Sequence, residues 1–160
     1  MHKLFSRRSL ASILAVLLCL QIIPAPSFAA RISNLKEGEC RIDVGNAHIS
    51  DYFTKRGRLA VKVNVLSECF MRQEKTTFWV QLRKKGRFID HDVVTIITTI
   101  TNKKSGNKPI YFEGTYAFCK NSKMTTYYGI GQAWAIINGK RYSTNGRARS
   151  EKDVTIPCGT

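Results

Sequence analysis

Acidic residues are scarce in this sequence, which has 11 Asp and Glu against 26 Lys and Arg and a formal net charge of +15 at pH 7. Such an excess of one sign disfavours a compact fold through self-repulsion. It therefore indicates either an anionic partner or a surface whose charge serves only solubility. The partners that fit are an anionic polymer, an acidic protein or an anionic lipid surface.

Catalytic and metal-binding motifs are lacking as well. The sequence contains no Gly-x-Ser-x-Gly, no His-Glu-x-x-His and no phosphate-binding loop, and no Cys-x-x-Cys pair favours zinc. Its densest polar cluster is Asp90, His91 and Asp92, where strand alternation places both carboxylates on one face and the imidazole on the other. Because these side chains do not converge on one ion, we predict no metal, no cofactor and no enzymatic activity.

Long apolar runs are confined to the first thirty residues. A basic segment without acids precedes the run "ASILAVLLCLQII", and prolines and small residues follow it. This order predicts a secretory signal peptide over residues 1–29, cleaved after Ala29, and a single secreted, extracellular domain over residues 30–160. The run is shorter than the ~20 residues that span a bilayer, so we expect no transmembrane segment in the mature chain. The "SRRSL" stretch also resembles a twin-arginine signal, and the export route stays open.

Removal of this leader takes away three basic residues and no acid, which lowers the formal charge from +15 to +12. It also takes away Cys19. The cysteines that remain are Cys40, Cys69, Cys119 and Cys158. An even number in an exported chain of this size predicts two disulfides.

Amphipathic helix patterns are absent, and period-two alternation runs through most of the chain. In "RLAVKVNVL", Leu59 and the three valines fall on one face and polar side chains on the other, as in a half-buried strand. The seven predicted strands are "CRIDVGNAHI", "RLAVKVNVL", "TFWVQLR", "DVVTIITTI", "IYFEGTYAF", "TYYGIGQAWAII" and "DVTIP". We predict an all-β protein, an antiparallel β-sandwich of immunoglobulin-like type.

Turn signals suggest how the cysteines pair. Asn138-Gly139 between two strand-like runs is a strong hairpin signal. If that register runs to the ends of the arm, Cys119 and Cys158 face each other. The turn "TKRGR" lies midway between the other two cysteines. We therefore predict the pairs Cys40–Cys69 and Cys119–Cys158, and two other pairings stay open.

Basic residues surround a glycine in four predicted turns, "TKRGR", "RKKGR", "NKKSGNK" and "NGKR". Glycine serves the turn, and the charge protects strand edges or binds a polyanion. Since antiparallel strands alternate in direction, the first two turns should share one end of the sandwich with Lys120 and Lys123, and the other two the opposite end. The candidate polyanion-binding residues are Lys55, Arg56, Arg58, Arg83, Lys84, Lys85, Arg87, Lys103, Lys104, Lys108, Lys140 and Arg141.

Aromatic residues argue against sequence-specific recognition of nucleic acid. Such a platform interleaves exposed aromatic rings with basic side chains. Trp79 and Trp134 lie in regular strand patterns, which indicates a core or sheet-surface position. The pair Tyr127 and Tyr128, close to Lys120 in sequence, is the nearest approach to a platform.

The carboxyl-terminal third resembles the tail of uncharacterised small exported proteins of high-GC Gram-positive bacteria. The matching positions are Cys119, Tyr127, Gly139, Tyr142 and Cys158. The resemblance implies an exported bacterial β-domain and no particular activity.

Three functions remain at this stage. The first is a secreted, non-enzymatic binding domain that acts at an envelope or host surface through anionic partners. The alternative is a cationic secreted antagonist, either a bacteriocin-like toxin or an inhibitor of another secreted protein. The second alternative is a small secreted enzyme that uses Asp90, His91 and Asp92.

Overall fold

The structure is a computed structural model that describes residues 35–103, 106–144 and 146–160. The predicted signal peptide over residues 1–29 and the candidate Lys104 lie outside these residues. The described chain forms ten strands and one short helix, α1 (Asp51–Thr54). The strands are β1 (Cys40–Val44), β2 (His48–Ile49), β3 (Ala60–Cys69), β4 (Lys75–Lys84), β5 (His91–Thr101), β6 (Ile110–Phe118), β7 (Asn121–Ile137), β8 (Lys140–Ser143), β9 (Ala148–Arg149) and β10 (Val154–Gly159).

Strand β3 is the centre of the first sheet. Its valines Val61, Val63 and Val65 are buried while Lys62 between them is half-buried, as the period-two pattern predicts. Antiparallel partners are β1 and β2 along one edge and β6 along the other. Leu59, which the pattern grouped with the valines, lies just before the strand and is exposed.

Strand β7, 17 residues long, is the centre of the second sheet. Strand β4 pairs along one edge with β5 beyond it, and β8, β9 and β10 pair in succession along the other. At the hairpin turn Asn138 and Gly139 both have positive φ, 50° and 72°, the conformation of a two-residue turn. Ile137 pairs with Lys140, so the predicted hairpin is confirmed.

The two sheets pack face to face, with a smaller cluster of Cys40, Cys69, Ala135 and Ile137 beside the main core. The centre of the main core consists of buried side chains from β3 and β4: Val61, Val63, Val65, Phe78, Val80 and Leu82. Two glycines of β7 let the sheets come close together. A Cβ on Gly129 would lie 2.7 Å from Val44 Cγ1, and one on Gly131 would lie 2.9 Å from Val44 Cγ2. Any side chain at these positions would therefore push β7 away from β1.

Both predicted disulfides are present. Cys40 and Cys69 are direct partners across β1 and β3, and Cys119 before β7 bonds to Cys158 of β10. The register argument for the second pair is wrong, however. The register changes between β8 and β10, so that Tyr127 pairs with Val154 and not with the residue that the hairpin alone would bring opposite it.

The all-β antiparallel sandwich is confirmed, with more strands than the seven predicted. The first predicted run divides into β1 and β2, and β8 and β9 are short strands that were not counted among the seven, although the predicted Asn138-Gly139 hairpin implies a strand where β8 lies. The immunoglobulin-like type is not confirmed. That type has a disulfide between its sheets with a tryptophan packed against it. Here Cys40–Cys69 joins adjacent strands of one sheet. Trp79 is half-buried on the opposite face of β4 from the buried core residues Phe78 and Val80.

Candidate functional site

Two of the basic turns lie at the end of the sandwich where β3 begins and β4 ends. Backbone hydrogen bonds join the loops of this end: the Cys119 amide donates to the Leu59 carbonyl at 3.0 Å, and the Lys85 amide donates to the Thr126 carbonyl at 2.8 Å. We name it the basic end and define it by residues 50–59, 85–90 and 119–125.

The other two basic turns lie at the opposite end. There the Asn102 amide donates to the Glu74 carbonyl at 2.8 Å, and the Asn138 amide donates to Glu74 Oε1 at 2.9 Å. The predicted candidates of this end that the structure describes are Lys103, Lys108, Lys140 and Arg141. The predicted division of the turns between two ends is therefore what the structure shows.

Most cations of the "RKKGR" turn have partners within the fold. Lys85 forms an ion pair with Asp153, with Nζ 2.7 Å from Oδ2. Lys84 Nζ donates to the Thr160 carbonyl oxygen at 2.7 Å. Arg83 is paired with a carboxylate of β5, as described below. Three of the four cations of this turn are thus engaged within the fold, and two of them, Arg83 and Lys85, are paired with carboxylates.

A second set of cations at the basic end has no carboxylate within ion-pair distance among the described residues. The set consists of Lys55, Arg56, Arg58, Arg87, Lys120 and Lys123, all exposed. Two of them are held by aromatic rings, because the Arg56 guanidinium lies 3.6 Å from the Tyr52 ring centre and that of Arg58 lies 3.6 Å from the Phe118 ring centre. These six side chains present unpaired positive charge to solvent.

The two ends are unequal in their acidic residues. The opposite end holds Glu37, Glu39 and Glu74 among its lysines. In the loops of the basic end, the carboxylates are Asp51 and Asp90, and the second accepts hydrogen bonds from within the protein. Both ends therefore carry net positive charge, and the basic end has fewer carboxylates among its cations.

An open cavity of about 370 Å³ lies at the basic end. The cations Arg58 and Lys120 and the apolar side chains Leu59 and Phe118 contribute to its lining. Such a lining fits a small anionic group attached to an apolar one. A second cavity, of about 640 Å³, lies at the opposite end, where β5 leads to β6.

The outer face of the second sheet carries arginines stacked on aromatic rings. Guanidinium carbons lie 4.4 Å from the Trp79 ring centre for Arg147 and 4.9 Å from the Trp134 ring centre for Arg141. The Arg149 guanidinium lies 4.1 Å from the ring of the buried Tyr128. Because Arg141 is opposite Ile136 and Arg149 opposite Ile130, the row extends for about 20 Å along β7. The arrangement is a row of guanidinium groups that lie close to aromatic rings along one face of the sheet.

Sequence reasoning missed this arginine row. It placed the tryptophans correctly as residues of regular strands, and Arg141 is among the predicted cations. Arg147 and Arg149 were left out because β9 is only two residues long and was not predicted. The alternation "RAR" at 147–149 after a strong hairpin is the signal that points to two arginines on one face.

Asp90, His91 and Asp92 are used by the fold and do not converge. Arg83 Nε lies 2.7 Å from Asp92 Oδ1, and the Tyr128 hydroxyl donates to Asp90 Oδ2 at 2.8 Å. That hydrogen bond holds the pKa of Asp90 below its ordinary value, and burial raises the pKa of the Tyr128 hydroxyl. A Cβ on Gly86 would lie 3.2 Å from the His91 ring, and the Gly86 amide donates to Asp90 Oδ1 at 3.3 Å. Both carboxylates are thus engaged within the fold, Asp92 by Arg83 and Asp90 by Tyr128.

The described ranges contain no cluster of three His, Cys, Asp or Glu side chains placed to hold a metal ion. They also contain no helix long and apolar enough to cross a membrane.

Comparison with known proteins finds no family model, no curated protein and no solved structure that matches the chain. The resemblance to small exported proteins of high-GC bacteria therefore stays a prediction.

Proposed function

We propose that the protein is a secreted, non-enzymatic binding domain. Its basic end binds anionic partners at an envelope or host surface. The observation that carries this proposal is the set of six exposed cations without carboxylate partners at that end. Some other cations of the fold lie beside carboxylates, as in Arg41–Glu68 at 2.6 Å and Lys85–Asp153 at 2.7 Å. A cluster left unpaired costs stability through repulsion, and an anionic partner removes that cost.

Two features support export. The disulfides Cys40–Cys69 and Cys119–Cys158 are typical of oxidising compartments outside the cytosol. The amino-terminal sequence has the order of a secretory leader, cleaved after Ala29. A disulfide-bonded sandwich with exposed loops suits a binding module whose contacts lie in its loops.

The proposal is tested with a soluble polyanion, dextran sulfate, and two matched triple variants. Lys55→Glu, Lys120→Glu and Lys123→Glu reverse three lysines of the basic end. Lys103→Glu, Lys108→Glu and Lys140→Glu make the same change of net charge at the opposite end. Titration by fluorescence anisotropy measures the affinity at about 0.1 M and about 1 M salt, where the screening length falls from about 10 Å to about 3 Å.

The expected result is a loss of affinity of at least about tenfold in the basic-end triple, a smaller loss in the control triple, and steep weakening by salt. Lys84 and Lys85 are unsuitable for this test because they are engaged within the fold. Equal losses in the two triples would mean that only net charge matters, and the assignment to the basic end would then be wrong. Binding that resists salt would contradict an electrostatic site.

The arginine row favours a second candidate surface for the same class of function. A planar guanidinium offers parallel N–H donors that match a carboxylate, and stacking on a ring limits its motion before binding. Gln132 is half-buried on the same face and offers an amide to sugar hydroxyls. This surface fits a linear acidic polysaccharide lying along β7.

A further inference from the structure

Two consecutive apolar side chains project from the basic end into solvent. Phe88 is 88% exposed and Ile89 is 71% exposed, in the connection between β4 and β5. Large apolar side chains in adjacent positions at a loop tip do not contribute to this protein's core. Single exposed apolar residues are common on protein surfaces, but an adjacent pair with this exposure suggests an apolar partner.

The base of this loop is fixed, so that the tip is held away from the sheet. The Gly86 amide donates to Asp90 Oδ1 at 3.3 Å, and Arg83 donates to the Asp90 carbonyl at 3.1 Å. The Tyr128 hydroxyl donates to the other oxygen of the same carboxylate. A Cβ at Gly86 would lie 1.9 Å from the Ile89 carbonyl oxygen, which shows how tightly the loop closes. The apolar tip is therefore held in position by a turn whose base is fixed by hydrogen bonds.

Further apolar side chains are exposed at the same end, together with the unpaired cations. Tyr52 of α1, Leu59 before β3 and Met124 of β7 are exposed at this end. Arg87 directly precedes the apolar pair, and its guanidinium lies 5.3 Å from the Phe88 ring centre. Cations beside exposed apolar side chains are the combination that binds anionic bilayers, where the charges meet headgroups and the apolar groups enter the interface.

We propose that the basic end docks on an anionic lipid bilayer, with Phe88 and Ile89 inserted at the level of the headgroups and the six unpaired cations above them. This inference rests on the proposed function, since it names the anionic partner of the same end. A second copy of the chain is disfavoured as the occupant, because two such ends would bring like charges together. A soluble polyanion accounts for the cations and leaves the apolar tip without a role.

The lining of the cavity at this end agrees with a lipid headgroup. Arg58 and Lys120 provide two positive charges, and Leu59 and Phe118 provide apolar surface beside them. An anionic headgroup with its adjoining glycerol combines the same two properties. The cavity thus offers a place for one headgroup at the same end of the sandwich as the inserted tip.

The test is sedimentation with vesicles of phosphatidylglycerol and phosphatidylcholine in equal amounts, against vesicles of phosphatidylcholine alone. Mass spectrometry first establishes that residues 1–29 are absent, because that apolar segment would bind lipid by itself. The test variant is Phe88→Ser with Ile89→Ser. The control is Ile97→Ser, which removes a side chain that is 67% exposed on β5, away from the loops of the basic end. Circular dichroism checks that each variant is folded.

We expect the wild-type protein and Ile97→Ser to bind the anionic vesicles, and the tip variant to bind about tenfold more weakly or less. Binding of the tip variant to dextran sulfate should stay within about twofold of wild type, since no charge is removed. Equal vesicle binding by the tip variant and wild type would overturn the inference. Wild-type protein that binds dextran sulfate and ignores anionic vesicles would overturn it too, and would leave the proposed function standing. Wild-type protein that binds neither dextran sulfate nor anionic vesicles would reject both proposals.

Discussion

Lys85 and Asp153 form an ion pair in which Nζ lies 2.7 Å from Oδ2, and this pair ties the turn after β4 to the segment before β10. Arg149 lies 2.5 Å from the other carboxylate oxygen. Lys85, with Arg149 acting in the same direction, lowers the pKa of Asp153. A carboxylate whose pKa is lowered by folding stabilises the protein above its ordinary pKa of about 3.9, and this stabilisation is lost as pH falls through the folded value.

The first prediction follows from this relationship. Asp153→Asn should lower the free energy of unfolding at pH 7 by up to about 1 kcal/mol, since the ion pair is partly exposed. The difference from wild type should shrink as the pH falls from about 3.9 through the lowered pKa of Asp153 in the folded protein, where its carboxylate becomes protonated. Urea unfolding at pH 7 and at pH 3 measures both effects. Glu151→Gln is the control, because Glu151 is a neighbouring exposed acid without an ion pair among the described residues.

A second prediction concerns the close approach of the two sheets. Gly131→Ala places a Cβ about 3 Å from methyl groups of Val44 and Ile42, and such overpacking costs typically about 1–3 kcal/mol. Chemical denaturation should show this loss. Val44→Ala removes one of the clashing methyl groups, so the double variant should be less destabilised than the two single losses combined. Strict additivity would mean that the glycine is not required for the contact with β1.

The strands of this fold were predictable where apolar and polar residues alternate. In β3 and β4 this alternation matches the burial of each side chain, because one face of each strand packs on the core. The short strands β8 and β9 were not predictable in the same way. They are held by pairing with β7, and the four residues of "KRYS" and two of "AR" carry almost no apolar pattern. Pairing with β7 determined β9, whereas β8 also follows from the local Asn138-Gly139 turn that returns the chain along β7.

The position of the candidate site could be predicted from the sequence. Which of its cations remain unpaired could be predicted only in part. Strand direction alone places "TKRGR" and "RKKGR" at one end, and the structure agrees. Which cations remain unpaired depends on carboxylates from distant strands, such as Asp153 beside Lys85. Such contacts between residues far apart in sequence depend on register, and the register between β7 and β10 departs from the one the hairpin predicts. The contacts that engage Lys84 and Lys85 could therefore not be predicted from the sequence.

A third prediction separates the roles of the two disulfides. Removing either pair by Cys→Ala substitutions should lower the free energy of unfolding by about 2–4 kcal/mol. Cys119–Cys158 holds loops of the basic end, while Cys40–Cys69 joins β1 and β3 at the opposite end. We expect the loss of Cys119–Cys158 to weaken polyanion binding under conditions where the protein is still folded, and the loss of Cys40–Cys69 to leave it unchanged. Equal effects on binding would show that the bond does not organise the basic end.

The last prediction tests the arginine row with a linear acidic polysaccharide, polygalacturonate, and with neutral dextran as the control ligand. Arg141→Ser with Arg147→Ser removes two exposed guanidinium groups for which no ion pair exists among the described residues. Lys103→Ser with Lys108→Ser makes an equal change of charge at the opposite end. If the row is a binding surface, the arginine variant should lose about tenfold or more in affinity and the lysine variant much less.

Tryptophan fluorescence gives this test a readout at the surface itself, because Trp79 and Trp134 lie against Arg147 and Arg141. Polygalacturonate should change the emission of wild type but not that of the arginine variant. Replacing both arginines by lysine keeps the charge and loses the planar, stacked donor, so binding should fall to an intermediate level. If the lysine variant binds as tightly as wild type, the arginine row contributes only its positive charge to binding. Unchanged binding by the serine variant would show that the stacked arginines serve the sheet alone, and that anionic partners meet the protein elsewhere.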